Sequence, residues 1–78
     1  MPTVLRVGPF RLHFYSNEGT EPPHIHVEKD DLEVKFWLDP VSIASNKGFK
    51  LADLRKVEKI IFQNHSLLLE KYNEFHNR

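Results

Sequence analysis

Cysteine is absent from the 78-residue sequence, so neither disulfide bonds nor thiolate metal sites are available to it. A chain without cysteine suits a reducing compartment, and we expect a cytoplasmic protein. Net charge is also absent, because 11 Lys and Arg balance 11 Asp and Glu. Nucleic-acid binders normally carry an excess of positive charge, so RNA is only a weakly supported partner.

Long apolar runs are missing as well. No window approaches about 18 consecutive apolar residues, and we predict no membrane span. The first six residues lack the apolar stretch of a signal peptide, which again favours the cytoplasm. A chain of 78 residues is long enough for one small domain, residues 1–78, whose stability must come from packing, to which self-association can add.

Alternating apolar and polar residues predict strands in the first half of the chain. The predicted strands are residues 3–7, 10–15, 24–29, 32–38 and, as a short fifth strand, 41–43. Polar residues with glycine predict loops at 16–21 and 45–48, whereas the turn at 29–31 lacks the glycine that tight turns favour. The sheet is therefore expected to be antiparallel, with four or five strands.

From Leu51 onward the apolar residues follow three- and four-residue spacing, which indicates helix. One helix reaching Phe75 would run to roughly 37 Å, longer than the diameter of about 30 Å expected for a compact chain of this size. We predict a break at 64–66, where residues that favour helix caps cluster. A continuous helix whose overhang is buried in a partner subunit stays open. The expected fold class is α+β, with two C-terminal helical segments packed on one face of the sheet.

The segment from Glu21 to Glu28 reads Glu-Pro-Pro-His-Ile-His-Val-Glu. The two prolines fix their own φ angles and launch an extended strand. Alternation then directs Ile25 and Val27 to one face, and the imidazoles of His24 and His26 to the other. If the helices cover the apolar side, the opposite face displays a polar and aromatic set: Arg6, Arg11, His13, Tyr15, His24, His26, Glu28, Glu33, Lys35 and Trp37.

Metal binding is one hypothesis for this face, because His24 and His26 lie two apart on a strand and can converge on one ion. A third ligand would have to come from His13 or Glu33 on neighbouring strands. No metalloenzyme or thiolate motif supports such a site. We therefore favour hydrogen-bonded imidazoles, predict neither metal nor cofactor, and keep a metal-binding protein as an alternative.

Acid–base catalysis is a second hypothesis, since histidine titrates near neutrality. A small hydrolase or ribonuclease would draw on His24, His26, Arg11, Tyr15 and Glu33, which are the candidate catalytic residues. Ordinary cross-strand ion pairing, with Glu28 or Glu33 facing Arg11 or Lys35, explains several of the same residues. The sequence does not decide whether the chain is an enzyme.

A binding surface is the third hypothesis, with His24, His26, Tyr15, Trp37 and Glu21 as candidate binding residues. Tyr and Trp are enriched at binding hot spots. The competing interpretation is that Trp37 merely packs over Lys35 or a proline.

Three adjacent leucines, Leu67, Leu68 and Leu69, cannot all face one core. The surplus leucine predicts an inter-helix or inter-subunit contact, and a homodimer is expected on this ground.

Three strings carry a family resemblance: Phe-Tyr-Ser-Asn-Glu-Gly at 14–19, Glu-Pro-Pro-His-Ile-His-Val at 21–27 and Lys-Phe-Trp-Leu at 35–38. They resemble the small bacterial proteins of the domain of unknown function 4160 family, over nearly the whole chain. The family has no established activity to carry over. Its members are often encoded beside another small protein, in an arrangement similar to a toxin–antitoxin pair.

The resemblance therefore implies a protein partner encoded nearby, and an RNA-related role by analogy only. It also implies a weaker helix start at Lys50, where relatives tend to have a capping residue such as Ser. Asp53 would still favour the helix dipole. The leading interpretation is a protein-interaction component of such a gene pair that uses the His-rich sheet face, and the second is a small hydrolase or ribonuclease that uses the same face.

Overall fold

A computed structural model describes residues 3–15 and 21–76 of the chain. It contains five strands followed by two helices: β1 (Thr3–Val7), β2 (Phe10–His13), β3 (His24–Lys29), β4 (Leu32–Leu38), β5 (Val41–Lys47), α1 (Leu51–Gln63) and α2 (His65–His76). The change from two-residue to three- and four-residue periodicity at Leu51 thus marks the change from sheet to helix. The predicted α+β fold is confirmed.

The strands form one antiparallel sheet in chain order, so β1 and β5 are its edges. The β4–β5 pairing shifts between two registered pairs, Lys35 with Ser45 and Phe36 with Ile43, which leaves Ala44 as the extra residue of a bulge. As a result, Ile43 lies on the same face as Phe36, whereas Ser45 lies on the same face as Lys35.

Two predicted boundaries were wrong. β2 ends at His13 rather than at residue 15, and β5 runs to Lys47 rather than ending at residue 43. The turn expected at 45–48 is instead centred on Gly48, because the Asn46 side chain bonds both backbone groups of Phe49, at 2.9 Å each, while Asn46 still pairs with β4. Of the loop predicted at 16–21, residues 16–20 lie outside the described residues.

Gly48 is required at this turn. Its φ is +102°, a conformation that L-residues rarely adopt, and a Cβ placed on it would lie 2.5 Å from Cδ2 of Leu32. In the β3–β4 turn, Asp30 takes a φ of 55° in place of the missing glycine. Aspartate tolerates this left-handed region better than most residues do.

The hydrophobic core lies between the sheet and the helices. It contains the apolar residues that alternation directs to one face, together with residues from both helices: Phe10, Leu12, Phe14, Ile25, Val27, Val34, Phe36, Leu38, Phe49, Val57, Ile60, Ile61, Leu68 and Tyr72. Of the three adjacent leucines, Leu68 is fully buried, Leu69 packs against the core and Leu67 is 37% exposed.

The predicted break between the helices is confirmed at Asn64. The backbone N–H of Asn64 donates to the carbonyl oxygens of Ile60 and Ile61, and its side-chain amide donates to Ile60 at 2.8 Å. The Asn64 carbonyl in turn accepts the first intrahelical bond of α2, from Leu68. The break keeps the helices within a body whose longest dimension is 33 Å.

Helix α1 begins without a side-chain cap at Lys50, as expected from the missing Ser. Asp53 in its first turn is buried and accepts a hydrogen bond from Nζ of Lys29 at 2.8 Å. This bond lowers the pKa of Asp53 below its usual value. The ion pair therefore joins the start of α1 to the end of β3.

Candidate functional site

Strand register brings the candidate residues together on the sheet face that points away from the hydrophobic core. His13 lies opposite His26, His26 lies opposite Lys35, and His24 lies opposite Trp37. We call this surface the histidine face and define it by seven residues: His13, Tyr15, His24, His26, Glu33, Lys35 and Trp37. The sequence-predicted side of the strand for His24 and His26 is correct.

The imidazoles are not displayed, however, and that expectation was wrong. His13, His24 and His26 are 1%, 0% and 5% exposed. The Tyr15 ring lies 4.3 Å from the His26 ring and 5.1 Å from the His13 ring, edge-on to both. The Trp37 ring lies 5.9 Å from that of His24. Half-buried aromatic side chains thus cover an inner layer of imidazoles.

The two prolines help to hold this layer in place. The Nδ1–H of His24 donates to the carbonyl oxygen of Pro22 at 2.9 Å, and the backbone N–H of Leu38 donates to the carbonyl of Pro23 at 2.9 Å. Proline lacks an N–H but keeps its acceptor. Both carbonyls of the Pro-Pro pair are therefore satisfied, one by an imidazole and one by the neighbouring strand.

Glu33 joins the aromatic layer to the imidazole layer. Its Oε1 accepts a hydrogen bond from the Tyr15 hydroxyl at 2.9 Å, and its Oε2 accepts one from Nδ1 of His26 at 3.2 Å. The carboxylate is 29% exposed, so it lies at the boundary with solvent. One carboxylate thereby fixes the positions of one aromatic ring and one imidazole.

His13 differs from its neighbours. Neither of its ring nitrogens has a hydrogen-bond partner among residues 3–15 and 21–76, although both atoms are buried. Burial lowers the pKa of His13 below 6.5, because it penalises the charged imidazolium, and nearby Arg11 and His26 lower it further. Glu33 and Glu28 oppose this shift without reversing it. Its surroundings therefore favour the neutral form of the His13 imidazole.

The cations around the imidazoles are paired with carboxylates. Arg11 contacts Glu28 at 3.0 Å across the β2–β3 pair, as cross-strand pairing predicts. Lys35 contacts Glu21 at 2.5 Å, and its Nζ also lies 4.7 Å from the centre of the Trp37 ring. The contact between Trp37 and Lys35 agrees with the competing interpretation given for Trp37, and Glu21 joins the site as the ion-pair partner of Lys35.

A model of the family described as a domain of unknown function (DUF4160) matches residues 10–73. The chain belongs to this family. No curated protein and no solved structure matches the chain. The match covers four of the five strands and most of the helical half, and it includes every residue of the histidine face.

In this DUF4160 chain, no three His, Asp or Glu side chains of residues 3–15 and 21–76 are grouped so that they could hold a metal ion. The rings of His24 and His26 are 5.3 Å apart and nearly perpendicular, and their Nδ1 atoms face separate acceptors. Across the same ranges, no helix is long and apolar enough to cross a membrane.

Sequence reasoning missed the part that α2 plays beside this face. Helix α2 runs past the ends of β4, β3 and β2, where His65 donates to the carbonyl of Leu38 and the Tyr72 hydroxyl donates to that of Glu21 at 3.2 Å. The Tyr72 ring lies 5.4 Å from that of His24. The only signal for Tyr72 was its place in the apolar helical pattern, which predicts burial but gives no contact with an imidazole.

Proposed function

We propose that this chain is a protein-binding component of a two-gene, toxin–antitoxin-like pair, and that the histidine face binds the protein encoded beside it. The observation that carries the proposal is the two-layer construction of the face. Buried imidazoles form an inner layer, and the half-buried aromatic rings of Tyr15 and Trp37 form an outer one.

The construction suits binding because the aromatic rings are held before a partner arrives. Tyr15 is fixed by its bond to Glu33, and Trp37 is packed between His24 and the Lys35 ammonium. Tyrosine and tryptophan dominate binding hot spots, and side chains that are already ordered lose less entropy on association.

Charge on the face also favours a protein over RNA. Arg11 and Lys35, the cations nearest to the imidazoles, are each paired with a carboxylate. Phosphate binding depends on cations that can neutralise the nucleic-acid backbone. A neutral, aromatic surface rimmed by ion pairs is instead typical of protein interfaces.

The second candidate is a ribonuclease or other small hydrolase, and one observation favours it. Tyr15, Glu33 and His26 form a continuous chain of hydrogen bonds of the kind that can move a proton. Against it, His24 and His26 are buried and each has Nδ1 engaged. A general base must come within hydrogen-bond reach of its substrate, which these imidazoles do not offer as packed.

The test measures binding of the product of the adjacent reading frame by isothermal titration calorimetry. We expect Trp37→Ala to raise Kd by tenfold or more, roughly the cost of losing a hot-spot aromatic. Lys35→Glu, which places a second carboxylate beside Glu21, should also weaken binding. The matched control is Val7→Ala, which trims an exposed apolar residue on β1. Circular dichroism checks that each variant is folded.

Unchanged affinity in folded Trp37→Ala and Lys35→Glu proteins would reject the histidine face as the binding surface. Cleavage of RNA by the purified chain, lost in a folded Glu33→Gln variant, would favour the second candidate.

A further inference from the structure

Helix α1 carries a second face that the core does not use. Its core side consists of Asp53, Val57, Ile60 and Ile61. Leu51, Arg55, Glu58 and Phe62 follow a spacing of four, three and four residues, which places them along one stripe on a different side of the helix. We call these four residues the outer stripe. Leu51 and Phe62 are 62% and 60% exposed, more than any other large apolar side chain in the described ranges.

The order of residues along the outer stripe is apolar, positive, negative, apolar. Leu51 and Phe62 are equally far from the middle of the stripe, and so are Arg55 and Glu58. A twofold axis through that middle would place a second α1 antiparallel to the first. Leu51 would then meet Phe62 of the second copy, and Arg55 would meet its Glu58. An interface between identical subunits must be self-complementary in this way.

Both charges are available for such a contact. Arg55 and Glu58 are exposed. The ion pairs within residues 3–15 and 21–76 involve other side chains: Arg11 with Glu28, His26 with Glu33, Lys29 with Asp53, and Lys35 with Glu21. The fold therefore leaves the two central charges of the stripe without an internal role.

A cleft lies at each end of the stripe. One, of about 180 Å³, is lined by Phe36, Ile43, Leu51, Leu54, Arg55 and Glu58. The other, of about 410 Å³, is lined by Leu38, Asp39, Pro40, Val41, Phe62 and His65. The same twofold axis carries Phe62 of the second copy to the first cleft and Leu51 of the second copy to the other. Apolar side chains seated in opposing pockets are typical anchors of stable interfaces.

The neighbouring sheet edge is less suited to pairing with a second sheet. The bulge at Ala44 interrupts the regular ladder of β5, and bulges at edges disfavour the addition of another strand. Between the edge strand β5 and the nearby outer stripe of α1, the outer stripe is therefore the surface better suited to contact a second copy.

We infer that this chain forms a twofold homodimer through antiparallel packing of the outer stripe of α1 against its own copy. The dimer leaves the histidine face uncovered, because α1 packs on the opposite side of the sheet. The surface also differs from the one at Leu67, Leu68 and Leu69 that the sequence suggested. The contact is independent of the proposed partner binding.

A charge swap tests this arrangement by sedimentation equilibrium of the full chain. Arg55→Glu and Glu58→Arg each place like charges together at two symmetry-related positions of the dimer. We expect each to raise the dimer dissociation constant by about tenfold or more. The double variant Arg55→Glu/Glu58→Arg restores opposite charges and should return the constant to within about threefold of the wild-type value.

The matched control is Lys56→Glu, an equal change of charge at an exposed position on another side of α1. It should leave dimerisation within about threefold of wild type. Circular dichroism verifies that the variants keep their helices.

Three results would overturn the inference. The first is a wild-type chain that stays monomeric at the highest concentration it tolerates. The second is a double variant that dimerises no better than the singles. The third is a dimer that the charge changes do not affect but that Leu67→Glu abolishes, which would assign the contact to the leucines of α2. None of these outcomes bears on the Trp37 experiment, so the two proposals fail separately.

Discussion

Both faces of the sheet contain almost fully buried side chains, but these side chains are stabilised in different ways. On the helix-covered face, Leu12, Ile25, Val27 and Phe36 are all 0% exposed and need no partners beyond close packing. On the histidine face, His13, His24 and His26 are nearly as inaccessible, yet each imidazole carries two polar nitrogens. Burying an apolar side chain stabilises the fold by itself, whereas burying an imidazole does so only where hydrogen bonds within the protein replace those to water.

The largest effect is expected from the apolar, helix-covered face. Phe36→Ala removes a fully buried ring from β4, an inner strand of the sheet, and should destabilise the protein by about 3–5 kcal/mol. Domains are typically stable by only about 5–15 kcal/mol, so this variant should unfold at much lower urea concentration. The measurement is the free energy of unfolding from urea titration. A loss below about 1 kcal/mol would show that this face is not a close-packed core.

Two substitutions within the histidine face are expected to have smaller effects on the free energy of unfolding, and these effects should differ in sign. His26→Leu removes the imidazole that bonds Glu33 and should destabilise by about 1–2 kcal/mol. His13→Leu removes two buried nitrogens that have no partner among residues 3–15 and 21–76, so it should be neutral or stabilise by up to about 1–3 kcal/mol.

The same urea titration compares these two variants, with wild type as the common reference. Equal destabilisation by both would mean that His13 makes polar contacts as valuable as those of His26. That result would remove the distinction between the two imidazoles.

Sequence periodicity was enough to predict the sheet, because alternation indicates the face to which each side chain points. It placed Ile25 and His26 on opposite faces correctly. It could not give the exposure of His26, because the ring of Tyr15 covers that imidazole from the segment that follows β2, and α2 closes the ends of the strands. Exposure depends on tertiary packing, which no local pattern contains.

The helix break was predictable from length, since one straight helix would exceed the size of the domain. The extent of β5 was not predictable, because Asn46 has turn-forming chemistry and uses it toward Phe49 while its backbone stays in the sheet. The Lys35–Glu21 pair was missed for a similar reason. Glu21 precedes its strand, and cross-strand pairing rules offer only partners within strands.

The protonation of the His13 imidazole tests the burial of the histidine face most directly. Its folded-state pKa is lowered below 6.5, so the unfolded chain binds a proton more readily than the folded one. Stability from this group is therefore complete above about pH 6.5 and is lost as pH falls from there toward the folded pKa. The groups that act on it are Arg11 on its own strand, His26 and Glu28 on β3, and Glu33 on β4.

The decisive measurement is an NMR pH titration of the His13 ring in the folded protein, assigned by its loss in the His13→Leu variant. We predict that the pKa of the His13 ring lies below 6.5, and that the His13→Leu variant loses less stability than wild type between neutral and mildly acidic pH. A His13 ring that titrates at or above pH 6.5 would be solvated or paired, which would contradict the buried imidazole layer on which the proposed binding surface rests.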